Sequence, residues 1–351
     1  MMGLPGDPED EADEPAWFEW DDSIGDDPEE TGAVSQTAWL STWIEAARTP
    51  EVMQAVVGAA ESLSRLESRL VYDPDVEGAA GRLAQDEAGD AMWLAGDAGA
   101  RDRLALYAQG VRAAIDERDQ LAHWALRRLM APGDPSSLNV PALRDFLGRA
   151  RPGLTDSLVE DSHDLFPQPT GTELDDGLGQ WLDIATRLHG HHRIVRAAIL
   201  YRAWRWLNLS GAEDAVTPMV VASRIAGGPH LHFAPFAGAA RRMRTFAVRG
   251  TESDRLYAMI RAFAEGALQA SLSLEQLAAW RLRAMRNATT KATRAIVDAT
   301  ARHPVASSNA IADATGMTPQ AVNKAARILH EDGLIREATG QSRFRLWQAA
   351  M

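Results

Sequence analysis

The chain contains no cysteine, which excludes disulfides, thiolate-ligated metal and a cysteine nucleophile. Lysine is nearly absent as well: Lys291 and Lys324 are the only two among 351 residues. The first 290 residues therefore carry neither a Walker-type phosphate-binding lysine nor a Schiff-base lysine. No apolar run approaches the roughly 20 residues that span a bilayer, and the acidic N-terminus is the opposite of a signal peptide's basic start. These absences predict a cytoplasmic protein with no membrane partner. No Gly-x-Ser-x-Gly elbow anchors a hydrolase triad.

What charge there is lies unevenly. The chain has 36 basic and 49 acidic residues, net −13, but residues 1–30 hold thirteen acids and no Lys or Arg. With four prolines and little apolar content beyond Ala16, Trp17, Phe18 and Trp20, residues 1–30 are expected to be a disordered acidic tail. Residues 281–351 hold eleven basic residues against five acids, net +6, and residues 31–280 are net −6. The whole-chain charge thus hides one basic end. A tail carrying Trp17 and Trp20 could compete with a polyanion for that end.

From residue 31 to 286 the apolar residues recur at the helical period, and the segment reads as a helical domain. Trp39, Leu40, Trp43 and Ile44 form one stripe. Thr49-Pro50-Glu51 marks the start of a helix running to about Leu70. Further helical patterns cover about 77–93, 100–130, a short stretch after Pro141, Trp181 to Asn208, and a restart at Thr217-Pro218. Residues 150–176 read as an irregular connection. Residues 254–286 form one or two helices, with capping-box spacing at Ser273 and Gln276 favouring a break. That stretch is apolar enough either to pair as a homodimer or to complete the core of a monomer.

The last 65 residues, 287–351, carry the clearest signal. A helix over Thr289–Arg302, a short one over Ala310–Ala314 capped from Ser307, Ser308 or Asn309, and a third opening at Thr318-Pro319 and running to about His330 precede a hairpin. Its strands are expected at Leu334–Ala338 and Arg343–Trp347 around Thr339–Ser342. This is the plan of a winged helix-turn-helix with a small β-hairpin. In the third helix Val322, Ala325, Ala326 and Leu329 share an apolar side, whereas Gln320, Asn323, Lys324 and Arg327 line the other. Asn and Gln bond adenine edges, and Arg and Lys bond guanine edges or phosphates, so this face suits the major groove of double-stranded DNA. Arg343 and Arg345 would place a wing on the backbone or minor groove, with Ser307, Ser308 and Thr318 available to phosphates.

The runs Lys291–Asp298, His303–Ser307, Met317–Ala321 and Leu334–Trp347 resemble the C-terminal helix-turn-helix domain of an uncharacterised family found on rhizobial and other alphaproteobacterial replicons. Weaker similarity covers Arg65–Leu70, Asp90–Gly96, Arg196–Trp204 and Pro229–Leu231. The resemblance implies a DNA-binding or transcriptional regulator with a helical domain of no agreed activity. The layout resembles, more distantly, the Fic-domain proteins, whose helical body transfers AMP from ATP to a protein hydroxyl. Here the loop after the Tyr201–Leu207 helix reads Asn208-Leu209-Ser210-Gly211-Ala212-Glu213-Asp214, with neither the His base nor the Gly-Asn-Gly-Arg turn of that family. An amide at Asn208 cannot accept the proton that the base must take. The expected class is mainly α: a helical, degenerate Fic-like domain followed by a winged helix. No enzyme activity, catalytic residue or cofactor is expected, and the alternatives are a helical interaction or scaffold protein or an AMP transferase. The histidines at 189, 191, 192, 230 and 232 have no recognised metal spacing, and no metal is expected. Arg241, Arg242, Arg244, Arg249 and Arg255 form a second basic cluster, read as a solvated face or an accessory phosphate patch.

Overall fold

The computed structural model describes residues 36–108, 116–148, 168–338 and 345–351. The acidic tail with Trp17 and Trp20, the turn 339–342 and Arg343 lie outside the described residues. Among the described residues the chain forms fourteen α-helices and one three-stranded sheet. No described helix is long and apolar enough to cross a membrane.

Eleven of those helices, with two 3-10 turns, build a helical body: α1 (Gln36–Ala46), α2 (Pro50–Val71), α3 (Val76–Leu94), α4 (Ala100–Ala108), α5 (Glu117–Met130), a 3-10 turn (Pro135–Ser137), α6 (Val140–Leu147), α7 (Gly171–Arg187), α8 (Arg193–Trp206), α9 (Val216–Ala226), α10 (Ala237–Arg242), a second 3-10 turn (Thr245–Ala247) and α11 (Glu252–Asn287). Pro50 opens α2 in the first helical position, while Thr49 at the N-cap donates its hydroxyl back to the Ala46 carbonyl at 2.9 Å instead of capping, and Val52, Ala59, Leu63, Leu66 and Leu70 face inward at helical spacing. The centre is α8 and α9. Every residue of α9 is buried, which its apolar circumference Val216–Ala226 permits. The one strong charge on it, Arg224, donates to the carbonyls of Leu129 in the last turn of α5 and of Ala131 and Gly133 just beyond it. That helix end has no intrahelical partners for these groups, so Arg224 supplies them. Trp181 and Trp204 meet edge to face at 5.3 Å, and their indole N–H groups donate to the Leu200 carbonyl and the Ser210 hydroxyl.

The helices differ from the sequence pattern at several places. The stretch 181–208 is two helices, because His189 to His192 form a turn in which His192 Nδ1 accepts from the Ile194 amide and caps α8. The first of them starts ten residues early, at Gly171. The 100–130 pattern is likewise two helices, the second capped by Asp116. Ser273 breaks nothing: α11 runs unbroken for 36 residues, starting from a capping box of Thr251 and Asp254.

Glu87 on α3 is buried, and both its oxygens lie 3.1 Å from the amides of Phe236 and Ala237 at the start of α10. Burial outweighs those bonds and pushes its carboxyl up to about 8. The unfolded chain releases this proton near pH 4.3, roughly the model-peptide value, whereas the folded protein holds it at neutrality. Its contribution to stability is therefore complete below about pH 4.3 and is lost as the pH rises toward about 8. Thermal melts should show Tm falling from pH 5 to pH 8.5, and Glu87→Gln should flatten that fall. A Tm that is level over the range in the unsubstituted protein would contradict the protonated state.

The C-terminal unit consists of α12 (Lys291–Arg302), β1 (Ala306–Ser307), α13 (Ser308–Thr315), α14 (Pro319–Glu331), β2 (Ile335–Glu337) and β3 (Leu346–Ala349). The sheet order is β1-β3-β2, all antiparallel, with Ala306 opposite Trp347 and Glu337 opposite Trp347 from the other side. β1 is unheralded in the sequence, since two residues cannot show alternation. Among the described residues the second hairpin strand spans 346–349, two residues further on than the expected end at Trp347, and the expected start at Arg343 and Phe344 lies outside the described residues. Two hydrophobic cores meet along α11: its residues up to Leu274 pack in the body, and from Leu277 on they pack with α12, α14 and the sheet. The change of core thus falls ahead of residue 287, where sequence alone places the domain boundary.

The C-terminal unit is tied to the body at α3. Arg302 at the end of α12 clasps Asp75, the α3 N-cap, with Nε and Nη2 at 2.8 and 2.9 Å from its two oxygens. That bidentate hydrogen bond holds the Asp75 carboxyl below the usual carboxylate range. Arg82 reaches across from α3 to the carbonyls of Thr300 and Ala301, the unpaired acceptors at the C-terminus of α12.

Candidate nucleic-acid interface

α14 is the element that any nucleic acid would meet. Thr318 caps it, its hydroxyl accepting from the Ala321 amide at 3.3 Å, and Pro319 occupies the first helical position. Gly316, at φ 69°, makes the left-handed step between α13 and α14 that a residue with a Cβ adopts only with strain. Val322, Ala325, Ala326 and Leu329 are all buried against the rest of the unit. The opposite side carries Gln320, Lys324 and Arg327, all exposed, with Asn323 half-buried on its flank. Thr318 is exposed at the head of the same face. The Arg327 Nε lies 3.6 Å from Glu331, one turn on, with both side chains about two-thirds exposed. An exposed pair of this kind is worth a fraction of a kcal/mol, so a phosphate can displace Glu331 at little cost.

Ser307 and Ser308 do not stand where a phosphate could use them. Ser307 caps α13 by accepting from the Ala310 amide at 3.0 Å, and it is buried. Ser308 is buried too: its hydroxyl accepts from the Trp347 indole N–H at 3.1 Å and donates to Asn323 Oδ1 at 2.6 Å. The phosphate role expected of both is withdrawn, because their oxygens are spent inside the unit. In exchange a relay from Trp347 through Ser308 fixes the Asn323 amide with its oxygen inward. Ser308→Ala should cost about 1–3 kcal/mol by orphaning the Trp347 N–H. It should also relax DNA selectivity at the base pair under Asn323 while leaving the salt dependence of binding unchanged, as competition among duplexes that differ at single positions would show. Undiminished selectivity would mean that the relay orients nothing.

On the wing, Arg345 is half-buried one residue before β3, and Arg343 lies outside the described residues. Three further exposed positions are not among the DNA contacts expected from the sequence. Arg336 is on β2 opposite Gln348, Asn309 is in the first turn of α13, and Ile328 flanks the polar stripe of α14 at 44% exposure. Asn309 stood in the cap cluster and Arg336 in the basic count, so both carried a signal. Ile328 carried none, since it falls beside the apolar stripe in the helical pattern.

In the second basic cluster Arg241 and Arg255 are paired within the body, while Arg242, Arg244 and Arg249 are exposed. Arg241 lies over the Trp93 ring at 4.6 Å and 3.5 Å from Asp90, and Arg255 pairs with Glu252 at 2.8 Å. Burial pushes His191 and His192 down, toward the neutral form. Among the described residues no group of three or more His, Asp or Glu converges as metal ligands. The loop after α8 uses its polar groups locally, with Asp214 accepting from the amides of Val216 and Thr217.

Residues 290–336 match a protein family described as winged helix-turn-helix DNA-binding. The match takes in α12, β1, α13, α14 and the first residues of β2. No curated protein matches the chain. The C-terminal unit is a winged helix-turn-helix domain of the DNA-binding kind, and DNA is the partner that such a domain implies.

Proposed function

We propose that the protein is a cytoplasmic transcriptional regulator that binds double-stranded DNA through its C-terminal unit and acts as a homodimer. The observation that carries this reading is the polar stripe of α14: Gln320, Asn323, Lys324 and Arg327 project from a helix whose other side is fixed in a core, within a segment that matches a DNA-binding family. α14 would lie in the major groove, with the Asn323 NH2, its amide oxygen held by Ser308, donating to an acceptor on a base edge and Arg327 or Lys324 bonding guanine or phosphate. Thr318 at the helix N-terminus would take a phosphate, Ile328 a thymine methyl, and Arg345 and Arg336 the backbone beside the wing, together with Arg343 as the sequence leads one to expect.

The same reading gives the helical body no catalytic step. Incubation with labelled ATP and cell extract should label neither the protein nor a target, and transfer of label would make the body an enzyme. The DNA reading itself is tested by fluorescence anisotropy of the full chain against pooled genomic duplexes. Affinity should rise steeply as salt falls from 200 to 50 mM, and absence of binding at 50 mM would end it.

A further inference from the structure

We infer that the outer face of α11 is a two-fold interface in which a second copy of this chain packs antiparallel about Leu268, a step that rests on and deepens the homodimer reading above. α11 is 36 residues long, about 54 Å, and is buried on one side only. Its outer side runs Tyr257, Arg261, Ala264, Leu268, Leu272, Glu275, Ala279, Leu282, at steps of three and four with two fours in succession at Leu268. That is the spacing of a coiled-coil seam interrupted by one stutter at its centre. Leu268, Leu272 and Leu282 on it are 45%, 40% and 58% exposed. Beside it a groove of about 700 Å³ opens between α11 and the end of α2, walled by Arg65, Arg69, Tyr72, Leu268, Leu272 and Glu275. Tyr72 there is 87% exposed. Of the twelve large apolar residues that are most exposed among the described ones, eight lie on α2, its C-cap or α11, so apolar exposure is concentrated in this layer.

Charge selects the occupant and its direction. In an antiparallel pair centred on Leu268, positions whose numbers sum to 536 face one another. Arg261 then meets Glu275 of the second copy, twice over, while Ala264 faces Leu272 and Tyr257 faces Ala279. At these positions large side chains sit against small ones and the two charges have opposites, while Leu282 comes to face Asp254 of the second copy. Arg69 already pairs with Glu275 within the chain, so each end becomes an Arg-Glu-Arg cluster. A parallel pair would set Arg261 against Arg261 and Glu275 against Glu275, which disfavours it. The arrangement is isologous and closes as a dimer.

The test uses the full chain, which offers a cysteine-free background. Sedimentation at micromolar concentration should give twice the chain mass. Under mild oxidation Leu268→Cys should cross-link to itself, because only the residue on the dyad meets its own copy within disulfide reach. Leu272→Cys and Leu282→Cys should not. Arg261→Glu, which sets carboxylates against Glu275, should weaken the dimer at least tenfold with the thermal melt of the chain retained. Cross-linking at all three cysteine positions would mean a parallel pair and would overturn the inference. So would a dimer indifferent to Arg261→Glu and Leu268→Cys, which would keep the homodimer and move it to another face. A chain that dimerises only after residues 1–35 are removed would assign the groove to that segment instead. A monomer that still binds duplex DNA would sink the pairing and leave the DNA reading standing.

Discussion

Replacing Lys324 and Arg327 together by alanine weakens duplex binding on the order of a hundredfold or more, with the fold untouched. Both side chains are exposed on α14, and the one ion pair of Arg327 among the described residues is the loose one with Glu331. Exposed substitutions of this kind stay within about 0.5 kcal/mol in stability, so a melt should barely move. The loss in affinity has two signatures. A side chain that held a phosphate takes about 0.9 from the slope of log K against log salt, across all sequences. A side chain that bonded a guanine edge costs about 1–3 kcal/mol at one base pair and leaves the slope alone. Anisotropy titrations of each single variant at several salt concentrations separate the two. Unchanged affinity of the double variant for every duplex tested would show that α14 is not the reading helix.

Trp280→Ala should cost about 3–5 kcal/mol, the range for truncating a buried aromatic, and lower the melting of the C-terminal unit by roughly 15 °C or more. Trp280 is fully buried near the end of α11, where that helix has passed from the core of the body into the core of the winged helix. Its indole N–H donates to the Leu334 carbonyl at 2.6 Å, just ahead of β2. One side chain thus joins the long helix to the sheet that holds the wing. DNA binding at 37 °C should be lost with it, while much of the helical circular dichroism persists because the body has its own core. Trp280→Phe keeps most of the packing and forfeits the hydrogen bond, for about 1 kcal/mol. Equal melting of Trp280→Ala and the unsubstituted chain would show that the two cores are not joined there.

The elements that could be read in advance are those whose signals are local. Thr318 followed by Pro319, and Thr49 followed by Pro50, opened helices at the residues where α14 and α2 begin. The four inward positions of α14 were legible because a two-sided helix declares its faces by spacing alone. What escaped depends on contacts distant in sequence. Ser308 looks like a cap or a phosphate ligand until Trp347, 39 residues on, claims its hydroxyl. Ser273 and Gln276 have capping-box spacing, yet Leu274 and Leu277 fix that stretch inside α11 by burying in two successive cores. β1 exists only because Leu346 and Trp347 offer it a partner strand. The outer face of α11 was legible as apolar, but its place on the surface rather than in the core is a property of how α2 and α8 pack against its other side.

The central claim is that α14 reads sequence in duplex DNA, and selection of bound sites from a random duplex pool by the full chain tests it most directly. The account requires a discrete motif to emerge, with specified base pairs that blur when Asn323→Ala or Arg327→Ala replaces the unsubstituted protein. A pool that returns unenriched, or a motif that survives both substitutions unchanged, would contradict it.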